Sequence, residues 1–355
     1  MRRRLATIYA VFCTLLLVAG FLLVFYFAFN ESITATVKCL VGLVLGFILS
    51  PVVHELGHVL MGAVTKMDAV YVKCFCFKVY LKKGKKRFAF TSPFSADETQ
   101  VVPLVGGNMQ KRVEKYAIGG LLFSGIFLAL LLLGAIATLI FKAPSYKLFG
   151  MLPYAAYLFF LNLPPFEYGS GKTDGLIYKG IKKGFDAEKC MLSVMEIQGQ
   201  LCEGKSFSQI DDKLYFELPQ LCEDEPLYAV ILDLRYRYYL EKEELVKAAD
   251  CLNRLALNEV YLSETELEKI AAELVYMHSL NGDLESAEAN YAACKNFLKE
   301  ETVAAKRVLA AYAKACDKKE SASILLEQAN TLLGEERIAG VKKFEEILLL
   351  RLSKE

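Results

Sequence analysis

Apolar residues fill long uncharged blocks in the first half of this chain, whereas the second half mixes apolar and charged positions at helical spacing. Leu5 to Phe29 contains no charged side chain. About 20 residues of helix cross a bilayer, so this run is long enough to span one. It follows Met1-Arg2-Arg3-Arg4 and is longer than the apolar core of a signal peptide, so a retained helix is expected, with a removed signal as the alternative. Ile33 to Thr65 is a second run, broken by Lys38 near its start and by a His-Glu-Leu-Gly-His cluster. Ala117 to Phe141 is a third, and Leu148 to Leu163 is a shorter fourth that stops at Pro164-Pro165. The pattern predicts a mainly α chain with about four transmembrane helices.

A different pattern lies between the second and third runs. Val70 to Leu81 is rich in Val, Tyr and Phe, Lys82-Lys83-Gly84-Lys85-Lys86-Arg87 turns, and Phe88-Ala89-Phe90 returns. This predicts a β-hairpin at the cytosolic membrane face, with its basic turn at anionic lipid headgroups. Gly106-Gly107 marks a further turn. From about Asp186 the chain is helical and water-soluble in character. The boundaries expected are a helix over 1–30, a membrane core over 31–185 and a cytosolic helical domain over 186–355.

Composition supports the membrane reading: 54% of the 355 residues are hydrophobic, and mean hydropathy is +0.31. The net charge of +1 leaves no general attraction for nucleic acid, and the cations instead cluster beside the apolar runs. By the positive-inside rule, Arg2 to Arg4, the basic segment 66–115 and Lys172, Lys179, Lys182 and Lys183 lie in the cytosol, with both termini inside. Asn30-Glu31-Ser32 fits a glycosylation sequon but sits too near the bilayer to be used. Most of the ten cysteines are isolated, which suits a reduced setting. Cys74-Phe75-Cys76 has no second Cys or His pair nearby and is expected to be structural.

Two of the three histidines stand in His54-Glu55-Leu56-Gly57-His58. Helical residues four apart share a face, so both imidazoles can reach one Zn²⁺ while Glu55 takes a proton from water bound to it. Such groups inside an apolar helix are costly unless ligated, paired or hydrated; polar residues satisfied inside a bundle are the alternative. A catalytic zinc needs a third protein ligand. Asp174 is the candidate, because an apolar helix ends at Pro164-Pro165 and a Gly-rich turn can bring Asp174-Gly175 back to the depth of the histidines. Glu167 is its rival. His278, alone in the tail, is expected to be an ordinary surface or packing residue.

These motifs resemble the site-2 protease family of intramembrane zinc metalloproteases. The resemblance rests on His54 to His58 in one membrane helix and on Asn162, Pro164 and Asp174-Gly175 at the end of a later one, with weaker support from Gly119-Gly120 and Val102 to Gly107. It covers about Ile33 to Gly175. It implies zinc held by His54, His58 and Asp174, Glu55 as general acid and base, and Asn162 holding the substrate backbone or oxyanion. The Asn-to-Asp spacing is longer here, through Gly169 to Lys172. No segment looks like a PDZ or CBS domain. In the tail, Asn281 to Tyr291 resembles a tetratricopeptide turn and second helix, and similar segments at Glu244, Asp283 and Lys319 recur about every 35 to 39 residues, near that repeat's usual period of about 34. An ordinary helical bundle is the alternative.

The expected function is hydrolysis of a peptide bond in or beside a transmembrane segment of a membrane protein, near the cytosolic side. The unwound substrate would lie along an edge of the Val70 to Phe90 hairpin. The expected partners are that substrate, the lipid bilayer and a protein docked on the helical domain, in a bacterial plasma membrane. Maturation of a small signalling peptide is one alternative. A non-catalytic scaffold presenting the helical domain is another.

Overall fold

Uninterrupted apolar sequence gives uninterrupted helix. The computed structural model of the chain describes residues 2–82, 85–92, 97–169, 171–223, 225–258 and 262–354. Met1, Lys83-Gly84 of the expected basic turn and Ser170 of the Gly-rich turn lie outside the described residues. Two units are distinct: Met1–Pro103 with Asn108–Glu188, and Leu104–Gly107 with Lys189–Glu355.

In the first unit, α1 (Arg2–Glu31) and α2 (Ile33–Val64) meet at Ser32. The Ser32 hydroxyl accepts the Ala35 N–H at 3.0 Å, satisfying one orphan donor at the start of α2. After α2, Lys66 adopts a left-handed φ of 58° and the chain reverses into four strands. They are β1 (Met67–Cys74), β2 (Phe77–Lys82), β3 (Lys85–Phe90) and β4 (Glu98–Pro103), arranged antiparallel in the order β3-β2-β1-β4.

This differs from a single hairpin. The expected strand Val70 to Leu81 is two strands, folded at Phe75, where φ is 52°. Cys74 and Phe77 face each other across that turn. Burial pushes the Cys74 thiol up to about 12, so this thiol stays protonated and unreactive near neutral pH. Strand β4 had no counterpart in the sequence reading. Strand β1 doubles back along α2. The Phe75 ring meets Phe47 edge-on at 5.6 Å, midway along that helix.

The chain then forms α3 (Met109–Ala117), α4 (Gly119–Ile140) and α5 (Tyr146–Asn162). A two-residue hairpin, β5 (Glu167–Tyr168) and β6 (Gly171–Lys172), leads into α6 (Asp174–Lys183). Glycines let α2 and α5 touch by their backbones. A Cβ at Gly46 would stand 2.9 Å from Met151 Cα, and one at Gly150 would stand 3.0 Å from Leu43 N. Three helical spans are long and apolar enough to cross a membrane: Arg4–Glu31, Ile33–Val64 and Met109–Ile140. The fourth expected span, α5, has 17 residues and rises only about 26 Å, short of a hydrocarbon core of about 30 Å.

The second unit starts from α7 (Asp186–Cys202), whose Glu196 carboxylate accepts the Gly107 N–H at 2.8 Å. The short α8 (Lys213–Phe216) precedes α9 (Pro226–Glu241), α10 (Leu245–Ala256), α11 (Glu264–Leu280) and α12 (Leu284–Tyr291). Then come α13 (Lys295–Leu298), α14 (Val303–Ala315), α15 (Lys319–Leu332) and α16 (Ala339–Lys354). One turn recurs between α9 and α10, α11 and α12, and α14 and α15. Each has a left-handed residue, Glu243, Gly282 or Asp317, at φ 62°, 71° and 59°. In each, the next N–H reaches back to a carbonyl five residues earlier: Glu244 to Tyr239, Asp283 to His278 and Lys318 to Ala313. Five residues past each left-handed residue lies a buried alanine, Ala248, Ala287 or Ala322. The expected segments at Glu244, Asp283 and Lys319 fall on these turns. The ten cysteines are all free.

Candidate metal centre

The two histidines project from one face of α2, four residues apart, and are buried at 6% and 7% exposure. Asp174 meets them from the start of α6. Its Oδ2 lies 3.2 Å from His54 Nε2 and 3.3 Å from His58 Nε2. One ligand atom from each residue lies within 4.8 Å of the others, and this is the one such cluster among the described residues.

Local sequence explains how Asp174 arrives there. Buried Thr173 caps α6, its hydroxyl accepting the Leu176 N–H at 3.2 Å and donating to the Pro164 carbonyl at 2.7 Å. A Cβ at Gly175 would strike the Leu163 carbonyl, so only glycine lets α6 start against the end of α5. The carboxylate also sits at a helix N-terminus, where negative charge is favoured.

The outer nitrogens of both rings are held. His58 Nδ1 donates to the Tyr116 carbonyl at 3.1 Å, so a neutral ring turns its Nε2 lone pair toward Asp174. His54 Nδ1 lies 3.0 Å from the buried Ser124 hydroxyl. Asp174 Oδ2 is buried and takes part in no hydrogen bond of good geometry. Burial would raise the Asp174 carboxyl, but when the two imidazoles are protonated they outweigh burial and hold it below the usual carboxylate range. An anionic oxygen and two imidazole nitrogens thus share one small volume. A cation at their centre would satisfy all three.

Glu55 is 5% exposed, next to the pair, and its Oε2 accepts the Thr99 hydroxyl at 2.6 Å. Thr99 is on β4, and its carbonyl accepts the Tyr116 hydroxyl at 2.5 Å. Strand β4 is one edge of the sheet, so the edge beside Glu55 is β4 and not the hairpin. Gly119-Gly120 has a steric role here. A Cβ at Gly120 would come 2.6 Å from His54 Cε1, and one at Gly57 would come 2.9 Å from Phe123 Cβ.

Not every expected residue joins the cluster. Asn162 donates to the Leu158 carbonyl of its own helix at 3.2 Å and is not one of the three clustered residues. Glu167 is exposed on β5, paired across the hairpin with Lys172 and outside the cluster. His278 lies 3.3 Å from Asp283 at a tail turn. Thr99, Tyr116 and Ser124 were not foreseen. Their partners are 44, 58 and 70 residues away along the chain, and no short motif spans such distances. No family model, curated protein or solved structure matches the chain.

Proposed function

We propose that the chain is a membrane-embedded zinc metalloprotease of the site-2 type, cutting a peptide bond in or beside a transmembrane segment of another protein. The observation that carries this reading is the convergence of His54, His58 and Asp174 beside Glu55. Four tetrahedral ligands about 2.0–2.1 Å from an ion are separated from one another by about 3.3 Å. The observed N···O separations of 3.2 and 3.3 Å fit that geometry, and two nitrogens with one carboxylate oxygen suit zinc. Bound there, zinc supplies Lewis acidity and brings the ionisation of water toward neutral pH.

The chain's own residues do the rest. Glu55 takes the proton from the attacking water and returns it to the leaving amide nitrogen. Thr99 fixes Oε2 of that carboxylate and leaves its other oxygen for the proton. The substrate must present an extended backbone, and the β4 edge beside Glu55 offers strand pairing to it. Lipid around the three apolar spans keeps bulk water from the site. The three repeated helical turns support a tetratricopeptide-like tail in the cytosol, a surface on which a protein partner docks. A bacterial plasma membrane is the proposed location.

Zinc analysis of purified protein tests the ligand set. Wild type and Glu55→Gln are expected to hold one zinc per chain, and His58→Ala and Asp174→Ala to lose it. Membranes from cells carrying Glu55→Gln should accumulate an uncut precursor. Stoichiometric zinc in Asp174→Ala, or cleavage by purified Glu55→Gln, would end this reading.

A further inference from the structure

We infer that Glu196 and Gly199 of α7 are positioning residues for the general base: they hold the Leu104–Gly107 turn, and the chain on either side of that turn sets Thr99 beneath Glu55. The consequence for cleavage rests on the hydrolytic reading; the mechanical coupling does not.

Chain order gives the turn its reach. Leu104–Gly107 belongs with the second unit, although the strand before it and the helix after it belong to the first. Before it runs β4, whose Thr99 hydroxyl donates to Glu55 Oε2 at 2.6 Å. After it runs α3, whose Tyr116 hydroxyl donates to the Thr99 carbonyl at 2.5 Å. Both arms of one four-residue turn therefore converge on Thr99.

Helix α7 grips this turn by its main chain. Both carboxylate oxygens of Glu196 accept the Gly107 N–H, at 2.8 and 2.9 Å. Gln200 Nε2 donates to Glu196 Oε1 at 2.9 Å and steadies that carboxylate. Gly199 brings α7 against Val105 without a side chain between them. A Cβ there would stand 2.4 Å from the Val105 carbonyl oxygen and 2.8 Å from Gly106 N. One at Gly106 would come 2.8 Å from Glu196 Oε1. Gly107 and Asn108 are both left-handed, at φ 82° and 52°, a sharp reversal that fixed partners hold in place.

A shift of the turn is passed on to β4. Pro103, the last residue of the strand, is buried, and its ring fixes φ, which removes one rotation that could absorb the movement. The register of β1 on β4 slips by one residue between Ala69 and Tyr71, opposite Val101 and Gln100. Such a bulge bends a strand and re-aims its side chains, so pairing with β1 does not by itself fix where Thr99 points. The grip on the turn supplies the missing constraint. Misplacing a catalytic group by about 1 Å can cost about 100-fold in rate.

Hydrogen exchange on the full chain in micelles reads the coupling, and the precursor that Glu55→Gln accumulates reads its consequence. Glu196→Ala and Gly199→Ala should each speed exchange over Glu98–Pro103 and Met109–Ala117 about tenfold, with α11 unchanged. Glu196→Gln, whose amide oxygen still accepts the Gly107 N–H, should restore most of the protection. In membranes, Glu196→Ala should raise the ratio of precursor to product about tenfold. Combined with Thr99→Val, it should accumulate no more precursor than Thr99→Val alone, because both act through one carboxylate. Unchanged exchange over both segments in the two alanine variants overturns the inference. Equal loosening of α11, or precursor accumulation that adds to that of Thr99→Val, overturns it too. If Glu55→Gln itself accumulates no precursor, the hydrolytic reading fails, and the exchange result alone decides whether α7 sets β4 and α3.

Discussion

Single contacts decide how the cluster is held. Ser124 and Tyr116 fix the outer nitrogens of the two imidazoles, and partners of that kind are worth about 10–100-fold in metal affinity. Ser124→Ala should therefore weaken zinc binding by about that factor in a chelator competition, with helix content unchanged. Thr99 acts on Glu55 and on neither histidine. Thr99→Val is expected to keep its zinc yet accumulate precursor as Glu55→Gln does, and Thr99→Ser, which restores the hydroxyl, to recover cleavage. Loss of zinc in Thr99→Val would show that the residue only supports the fold. The histidines and Glu55 were legible because a helix brings residues four apart together without help from elsewhere. Asp174 was legible as a candidate through the prolines and glycines that bend the chain before it. Thr99 and Ser124 were not, since an isolated threonine or serine looks the same in sequence whatever it touches.

Among the elements, apolar runs declared the long helices, but turns without glycine or proline hid the sheet. Val70 to Leu81 reads as one strand because nothing at Phe75 announces a left-handed residue. Strand β4 has too mixed a pattern, Glu98 to Pro103, to stand out. The tail was easier, since its turns repeat. Of the three left-handed positions only Gly282 is glycine, and a side chain there costs roughly 1–2 kcal/mol. Gly282→Ala should lower the stability of the tail by about 1 kcal/mol, while Asp317→Gly should raise it by a smaller amount, both read from urea unfolding followed by helical circular dichroism.

For the whole chain, stability will follow pH through a buried ion network in the second unit. Arg307 is fully buried, with Nη2 2.7 Å from Glu273 and Nε 2.8 Å from Glu345, over the Tyr276 ring at 4.3 Å. Burial alone would raise the Glu273 carboxyl, but Arg307 prevails and holds it below its ordinary value of 4.5. The folded state thus resists protonation more than the unfolded state does. This contribution is complete above the ordinary carboxylate range and is lost as pH falls below it. Arg307→Met removes the ion-pair partner of two buried carboxylates and should cost about 3–5 kcal/mol near neutral pH. Acidification should then stabilise that variant, the opposite of wild type, in urea titrations at two pH values. A different constraint governs the first unit, where Gly57, Gly120 and Gly175 leave main chain or imidazole in the place of any side chain. A site walled in this way cannot be trimmed or padded one methyl at a time. Its dimensions are those of the helix packing itself, so the room around the three candidate ligands changes only when a ligand is replaced or an entire helix shifts.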